Sequence, residues 1–149
     1  MKPYIHYGAS LWNLHASVGK FGHNNVQSDV CYIQWYYTLA AEHPETPQER
    51  KEVYKYVRVT GSCTGRDDDP LVKSITIHQQ GLHHAIIDGR ISPLPGEAGN
   101  LRVGDKAFFV IRLGARIATM FPKYWPRLDL MPRCPPSVAQ AVLEAIPKV

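Results

Sequence analysis

Residues 71–93 read Leu71-Val72-Lys73-Ser74-Ile75-Thr76-Ile77-His78-Gln79-Gln80-Gly81-Leu82-His83-His84-Ala85-Ile86-Ile87-Asp88-Gly89-Arg90-Ile91-Ser92-Pro93. This stretch decides the fold. Its first half carries helix signals. Asp67, Asp68 and Asp69 offer an N-cap and acids for the first turn, and Pro70 suits the first helical position. Leu71, Ile75 and His78 or Gln79 then recur on one face. Gly81 is a natural stop, so the spacing predicts a helix over 70–81. The second half runs Ile86-Ile87 into Asp88-Gly89. Asp bonds its own backbone in a turn and Gly takes positive φ without steric cost, so a turn is expected there.

Working outward, Val26–Ala41 is predicted as the first helix, capped by Asn25 or Ser28. Its inward stripe is Val26, Val30, Ile33, Tyr37 and Ala40, with Gln34, Trp35 and Tyr36 beside or across from it. Residues 43–50 read as a Pro-interrupted polar connection. Tyr54-Lys55-Tyr56-Val57-Arg58-Val59 alternates like a short strand ending at Thr60-Gly61. Val57-Arg58-Val59-Thr60-Gly61 and Ala85-Ile86-Ile87-Asp88-Gly89 echo one another, each a short strand entering a polar-Gly turn. Residues 1–25, rich in aromatics, Gly and Asn, read as an extended arm packed on the body. A third helix is expected over Asp105–Met120, with Ala107, Val110, Ile111, Gly114, Ile117 and Ala118 inward and Arg112 and Arg116 outside. Residues 122–136 hold five prolines and form an irregular strap. Ser137 with Gln140 three residues later is a capping-box pattern for a final helix, Val138–Ile146.

Composition narrows the class. The chain has 149 residues, 44% hydrophobic and 20% charged, which suits an ordinary globular domain with a core of its own. No apolar run approaches the roughly 18 residues of a membrane span. Met1-Lys2-Pro3-Tyr4-Ile5-His6 lacks an uninterrupted apolar signal-peptide core. The expectation is synthesis in the cytoplasm, with action in the periplasm or export by a secretion system requiring another route. Three scattered cysteines without Cys-x-x-Cys argue against a zinc ribbon and a disulfide framework. Charge is uneven: residues 1–100 hold nine Lys/Arg against ten Asp/Glu, and residues 101–149 hold eight against three. The C-terminal third is therefore a basic surface, and Arg112, Arg116, Lys123, Trp125 and Arg127 are its candidate partner-binding residues. No nucleic-acid motif accompanies it, so nucleic acid is not the expected partner.

The order Val18-Gly19, Asn24-Asn25, Asp29-Val30…Ile33-Gln34, a Gly-bearing turn, a helix ending in His78-Gln79, then Asp88-Gly89-Arg90-Ile91-Ser92-Pro93 resembles the peptidoglycan-binding-domain-like family. The likeness is to its divergent branch associated with bacterial secretion systems and phage tails, and it covers residues 16–95. His78 stands where the family has Phe, and Trp35-Tyr36-Tyr37 where it has Leu-Leu. The resemblance implies a mainly α fold: a small three-helix module with short strand-turns, preceded by an arm over 1–15 and extended by a basic helical segment over 96–149 packed on it. It implies non-catalytic binding to peptidoglycan, through glycan or stem peptide. The alternative is a protein-interaction role as an adaptor, immunity or accessory protein of a type VI secretion or phage-tail system. It also implies structural roles for Gln34, Gln79 and Asp88.

On chemistry, Trp35 and Tyr36 suit stacking on sugar faces, and Arg90 and Gln34 suit bonding to hydroxyls, acetamides or carboxylates; these four are the candidate ligand residues. A metal site from His78, His83, His84 and Asp88 is disfavoured, because adjacent histidines do not share a helix face. Cys31, mid-helix with no selected partner, is a poor nucleophile. No enzyme chemistry and no cofactor is expected.

Overall fold

Helix α1 (Gln27–Glu42) is the centre of the molecule. Every residue from Asp29 to Tyr37 is buried, as are Leu39 and Ala40. An inward stripe on one side alone does not describe it: the helix is enclosed all round. A helix in that position must supply partners for its own polar side chains. Asp29 does so by accepting the backbone N–H groups of His15 and Ala16 at 2.9 Å each, which ties the preceding chain to the first turn. The N-cap is Val26, without a side-chain cap bond, rather than Asn25 or Ser28.

The computed structural model describes residues 1–6, 9–95, 102–103 and 106–146. Five helices, α1 to α5, dominate these residues, so the mainly α expectation holds. The arm forms a hairpin of β1 (Lys2–His6) and β2 (Ala9–Asn13), with Lys2 opposite Asn13. β3 (Val18–Gly19) pairs antiparallel with β4 (Arg90–Ile91). Gly19 is obligatory in that pair: its φ is +116°, and a Cβ there would stand 2.3 Å from the Gly89 carbonyl oxygen. A further pair joins β5 (Arg102–Val103) to β6 (Lys106–Ala107).

The expected strand at Tyr54–Val59 is instead the end of a helix and its exit. Helix α2 spans Gln48–Tyr54. Pro47 starts it, its carbonyl accepting the N–H groups of Arg50 and Lys51 at 3.0 and 3.1 Å. Tyr54 and Val57 are the buried pair, spaced by three rather than two, while Tyr56 is 61% exposed. Tertiary packing of Tyr54 on Tyr37, ring centroids 4.7 Å apart, outweighed the local β preference.

Helix α3 (Pro70–Gly81) matches the sequence reading, with the Asp69 carboxylate accepting the Leu71 N–H at 2.8 Å. Helix α4 spans Phe109–Met120, and the expected start at Asp105 lies outside the described residues. Lys106 and Ala107 are strand. Val110, Leu113, Gly114 and Ile117 turn inward. Helix α5 (Pro136–Ala145) starts one turn-step earlier than expected, because Pro136 occupies its first position. The Ser137–Gln140 capping box does not form: Ser137 Oγ has no partner, and Gln140 bonds Glu144 at 3.0 Å.

The strap is pinned by two tryptophans. Prolines present carbonyls but no N–H, and an indole N–H only donates, so the two are complementary. Trp12 donates to the Pro126 carbonyl at 2.8 Å and Trp35 to the Pro132 carbonyl at 3.2 Å. The Arg133 guanidinium adds a fork to Glu42 at 2.7 and 2.9 Å. Asn13 closes the arm onto the other end, accepting from Leu94 N at 2.8 Å. No helix among the described residues is long and apolar enough to cross a membrane.

Candidate functional site

The echo seen in the sequence is real, but it lies in the turns and not in strands before them. Neither 57–59 nor 85–87 is strand. Val59, Ile86 and Ile87 are exposed, with no neighbouring strand to pair. What repeats is a glutamine gripping a turn. Gln34 Oε1 accepts the N–H groups of Thr60 and Gly61, both at 2.9 Å, and its amide donates to the Ser62 carbonyl and the Thr60 hydroxyl at 3.0 and 3.1 Å. Gln79 Oε1 accepts from Asp88 N and Gly89 N at 3.1 and 2.9 Å, and its amide donates to the Arg90 carbonyl and the Asp88 carboxylate at 3.0 and 3.3 Å. Gly61 and Gly89 both take positive φ, +79° and +69°. Each amide thus meets its full complement of bonds within the scaffold. Gln34 has no capacity left for a ligand, which corrects its place among the ligand residues.

Trp35 is corrected for the same kind of reason. It is 0% exposed and its indole N–H is held by Pro132, so it cannot offer a stacking face. Arg90 lies apart, ion-paired with Asp88 at 3.6 Å on a groove shared with His15, Phe21 and His23. The expected partner surface also divides. Trp125 packs over Gly114, its ring within 3.3 Å of where a Cβ would stand. Arg127 forks onto Asp129 at 2.7 and 2.8 Å. Lys123 is exposed above the Tyr124 ring.

Tyr36, Arg112 and Arg116 do come together, although Tyr36 is 4% exposed with its ring packed on Tyr37 and His78, so it, like Trp35, has no open face for a sugar and is corrected to a floor residue. They line a cleft of about 440 Å³ between α1, the 43–47 connection, α2, the end of α3 and α4. Arg50, which the sequence reading passed over, is the third guanidinium there. It was hidden because α2 was read as connection and strand, so no periodicity placed it. Helix α2 carries it across the edge of Gly81, whose missing Cβ leaves room for the guanidinium at 3.3–3.5 Å. Arg116, one turn beyond Arg112 on α4, bonds the Glu45 carboxylate at 2.9 Å and His43 Nδ1 at 3.2 Å.

The floor is aromatic. Tyr36 stacks on His78, ring centroids 5.8 Å apart and planes within 7°. The His78 Nδ1 and Tyr37 hydroxyl bond at 3.0 Å, and Phe109 meets the same imidazole edge-on at 4.9 Å. Burial, then Arg50, Arg112 and His84, hold the His78 pKa down at about 3, so its ring is neutral at any physiological pH. Burial pushes the Tyr36 phenol up to about 12, against the pull of Arg116 and Arg50. The three arginines are therefore the cleft's charges at neutral pH, with Glu45 at the rim opposing one of them.

Among the described residues, Arg50 and Arg112 make no ion pair, and Arg112 Nη1 is a buried donor with no hydrogen-bond partner. A buried donor left unpaired costs about 1–3 kcal/mol, and Arg112 shares that state with Arg90 Nε and Ser137 Oγ. No group of three His, Cys, Asp or Glu among these residues is placed to hold a metal ion. Burial raises the Cys63 thiol to about 11 and the Cys134 thiol to about 12, which leaves both protonated and weakly nucleophilic. No family model, no curated protein and no solved structure matches the chain.

Proposed function

We propose that the protein is a non-catalytic binding module that targets the bacterial cell wall, gripping peptidoglycan through the Tyr36–arginine cleft. One observation carries this reading. Arg112 and Arg116, singled out as a basic partner surface, meet Arg50 in one concavity floored by the buried Tyr36, and among the described residues Arg50 and Arg112 have no ion-pair partner. The order of motifs over residues 16–95, which resembles wall-binding modules, supports the same target. Wall peptides supply carboxylates, and a guanidinium is the side chain best shaped to hold them.

A protein-partner role in a secretion or phage-tail setting is the second reading. It is favoured by the apolar side chains of Leu143 on α5 and Ile146 at its C-cap, which are 55% and 36% exposed. Co-sedimentation with insoluble peptidoglycan sacculi at low and moderate salt separates the two. Salt-resistant binding is expected. Binding that disappears with salt would be screened attraction to the basic surface, and no binding would leave the protein-partner reading.

A further inference from the structure

We propose that the cleft is a preformed receptor for a peptide ending in a free carboxylate, with that carboxylate seated between Arg50 and Arg112 above the Tyr36 ring. The assignment of that peptide to the wall rests on the reading above; the carboxylate chemistry rests on the cleft itself.

Arg50 and Arg112 come from different helices, α2 and α4, and line the same cleft as the buried His78 imidazole. A guanidinium binds through a planar fork of N–H groups that matches the two oxygens of a carboxylate, and this cleft is lined by two guanidiniums that have no ion pair among the described residues. Arg112 is only partly buried and lines the cleft, while its Nη1 is out of water without a partner, so no internal bond holds its fork away from a ligand. Arg116 shows that the rim accepts this chemistry, because it holds the Glu45 carboxylate at 2.9 Å.

The rest of the lining selects the body of the ligand. Ala40, Ala115 and Leu82 make short apolar walls around the aromatic floor, which suit small aliphatic side chains next to the terminal group. A cleft of about 440 Å³ falls in the range of small-ligand sites. His78 adds no charge, so the two free guanidiniums set the electrostatics.

The test is titration calorimetry of the full chain with acetyl-Lys-D-Ala-D-Ala, its C-terminal amide, the L-Ala-L-Ala acid, and inorganic phosphate. The D-acid is expected to bind at least tenfold more tightly than its amide. That preference should vanish in Arg50→Gln and Arg112→Gln, with melting temperatures unchanged. Equal binding of acid and amide, or phosphate binding as tightly as the acid, overturns the receptor. A preference for the L-acid upholds the carboxylate site and moves its source to a protein C-terminus, which contradicts the wall assignment. If the D-acid fails to bind while sacculi still sediment the protein, the cleft proposal falls and wall binding stands. If the D-acid binds while sacculi do not, the reverse holds.

Discussion

Gln34 and Gln79 are buried and meet every hydrogen bond they can make, whereas Arg112, only partly buried, keeps one buried N–H without an acceptor. Both kinds of residue are polar and inward. The difference separates scaffold from receptor. A buried amide with all its bonds made fixes a turn and has nothing to offer a ligand. A buried guanidinium with bonds unmade lowers stability and has something to offer. Arg90 Nε beside the second clasp and Ser137 Oγ are unpaired too, so what sets the α2–α4 cleft apart is the gathering of three guanidiniums in one concavity together with the unpaired N–H.

The first way to break the comparison is Trp35→Ala. A sugar-stacking Trp35 would lose binding with little change in stability. As a fully buried side chain that pins the strap, its truncation is expected to cost about 3–5 kcal/mol, read by urea denaturation. Gln79→Leu comes next. It strands the N–H groups of Asp88 and Gly89 and the Arg90 carbonyl, and it loosens the β3–β4 pair those residues support. About 2–4 kcal/mol is expected. Gln34→Leu should cost less, about 1–2 kcal/mol, because Thr60 and Ser62 are exposed and water replaces the lost bonds. Equal losses from the two variants would show that the β3–β4 pair adds nothing to the second clasp.

Acid sharpens the contrast between the clasps. The residue before Gln34 is Ile33, and the residue before Gln79 is His78. The His78 pKa falls from an ordinary value near 6.5 to about 3 on folding, so between those values the unfolded chain binds a proton that the folded chain does not. Its contribution is fully present above about pH 6.5 and is lost as pH falls toward 3, at up to about 1.4 kcal/mol per pH unit. The protection of the amides at 88–90, taken against their intrinsic exchange rate at each pH, should therefore fall in acid ahead of that at 60–62, and His78→Phe should remove the difference. Asp88→Ala is the smallest of the clasp effects. It removes the carboxylate that accepts from Arg90 N at 3.0 Å and from Gln79, at a cost of about 1 kcal/mol, with wall binding unchanged.

What could be read from the sequence divides along physical lines. The α3 helix, its Asp69 cap and the Asp88-Gly89 turn were legible because capping and turn chemistry are local. The strand expected at 54–59 was wrong because Tyr54 answers to Tyr37 across the core, and six residues of alternation do not reveal that. Tyr36, Arg112 and Arg116 were picked out separately, by aromatic excess and by charge. That they share a cleft depends on how α4 packs, which no spacing encodes. Arg50 carried no signal at all once α2 was missed. Trp35 and Gln34 were misplaced for a common reason: residue type shows that a side chain is able to bond or stack, and only burial shows that it already does.

The measurement that bears most directly on this account is salt-resistant sedimentation with sacculi for Arg112→Gln beside the wild type, with both melting temperatures recorded. The account predicts binding weakened at least tenfold and a melting temperature no lower than that of wild type, since replacing an unpaired buried donor removes a cost and breaks no bond. A fall in melting temperature of more than about 4 °C with sacculus binding intact would make Arg112 a scaffold residue and contradict the division between clasp and cleft.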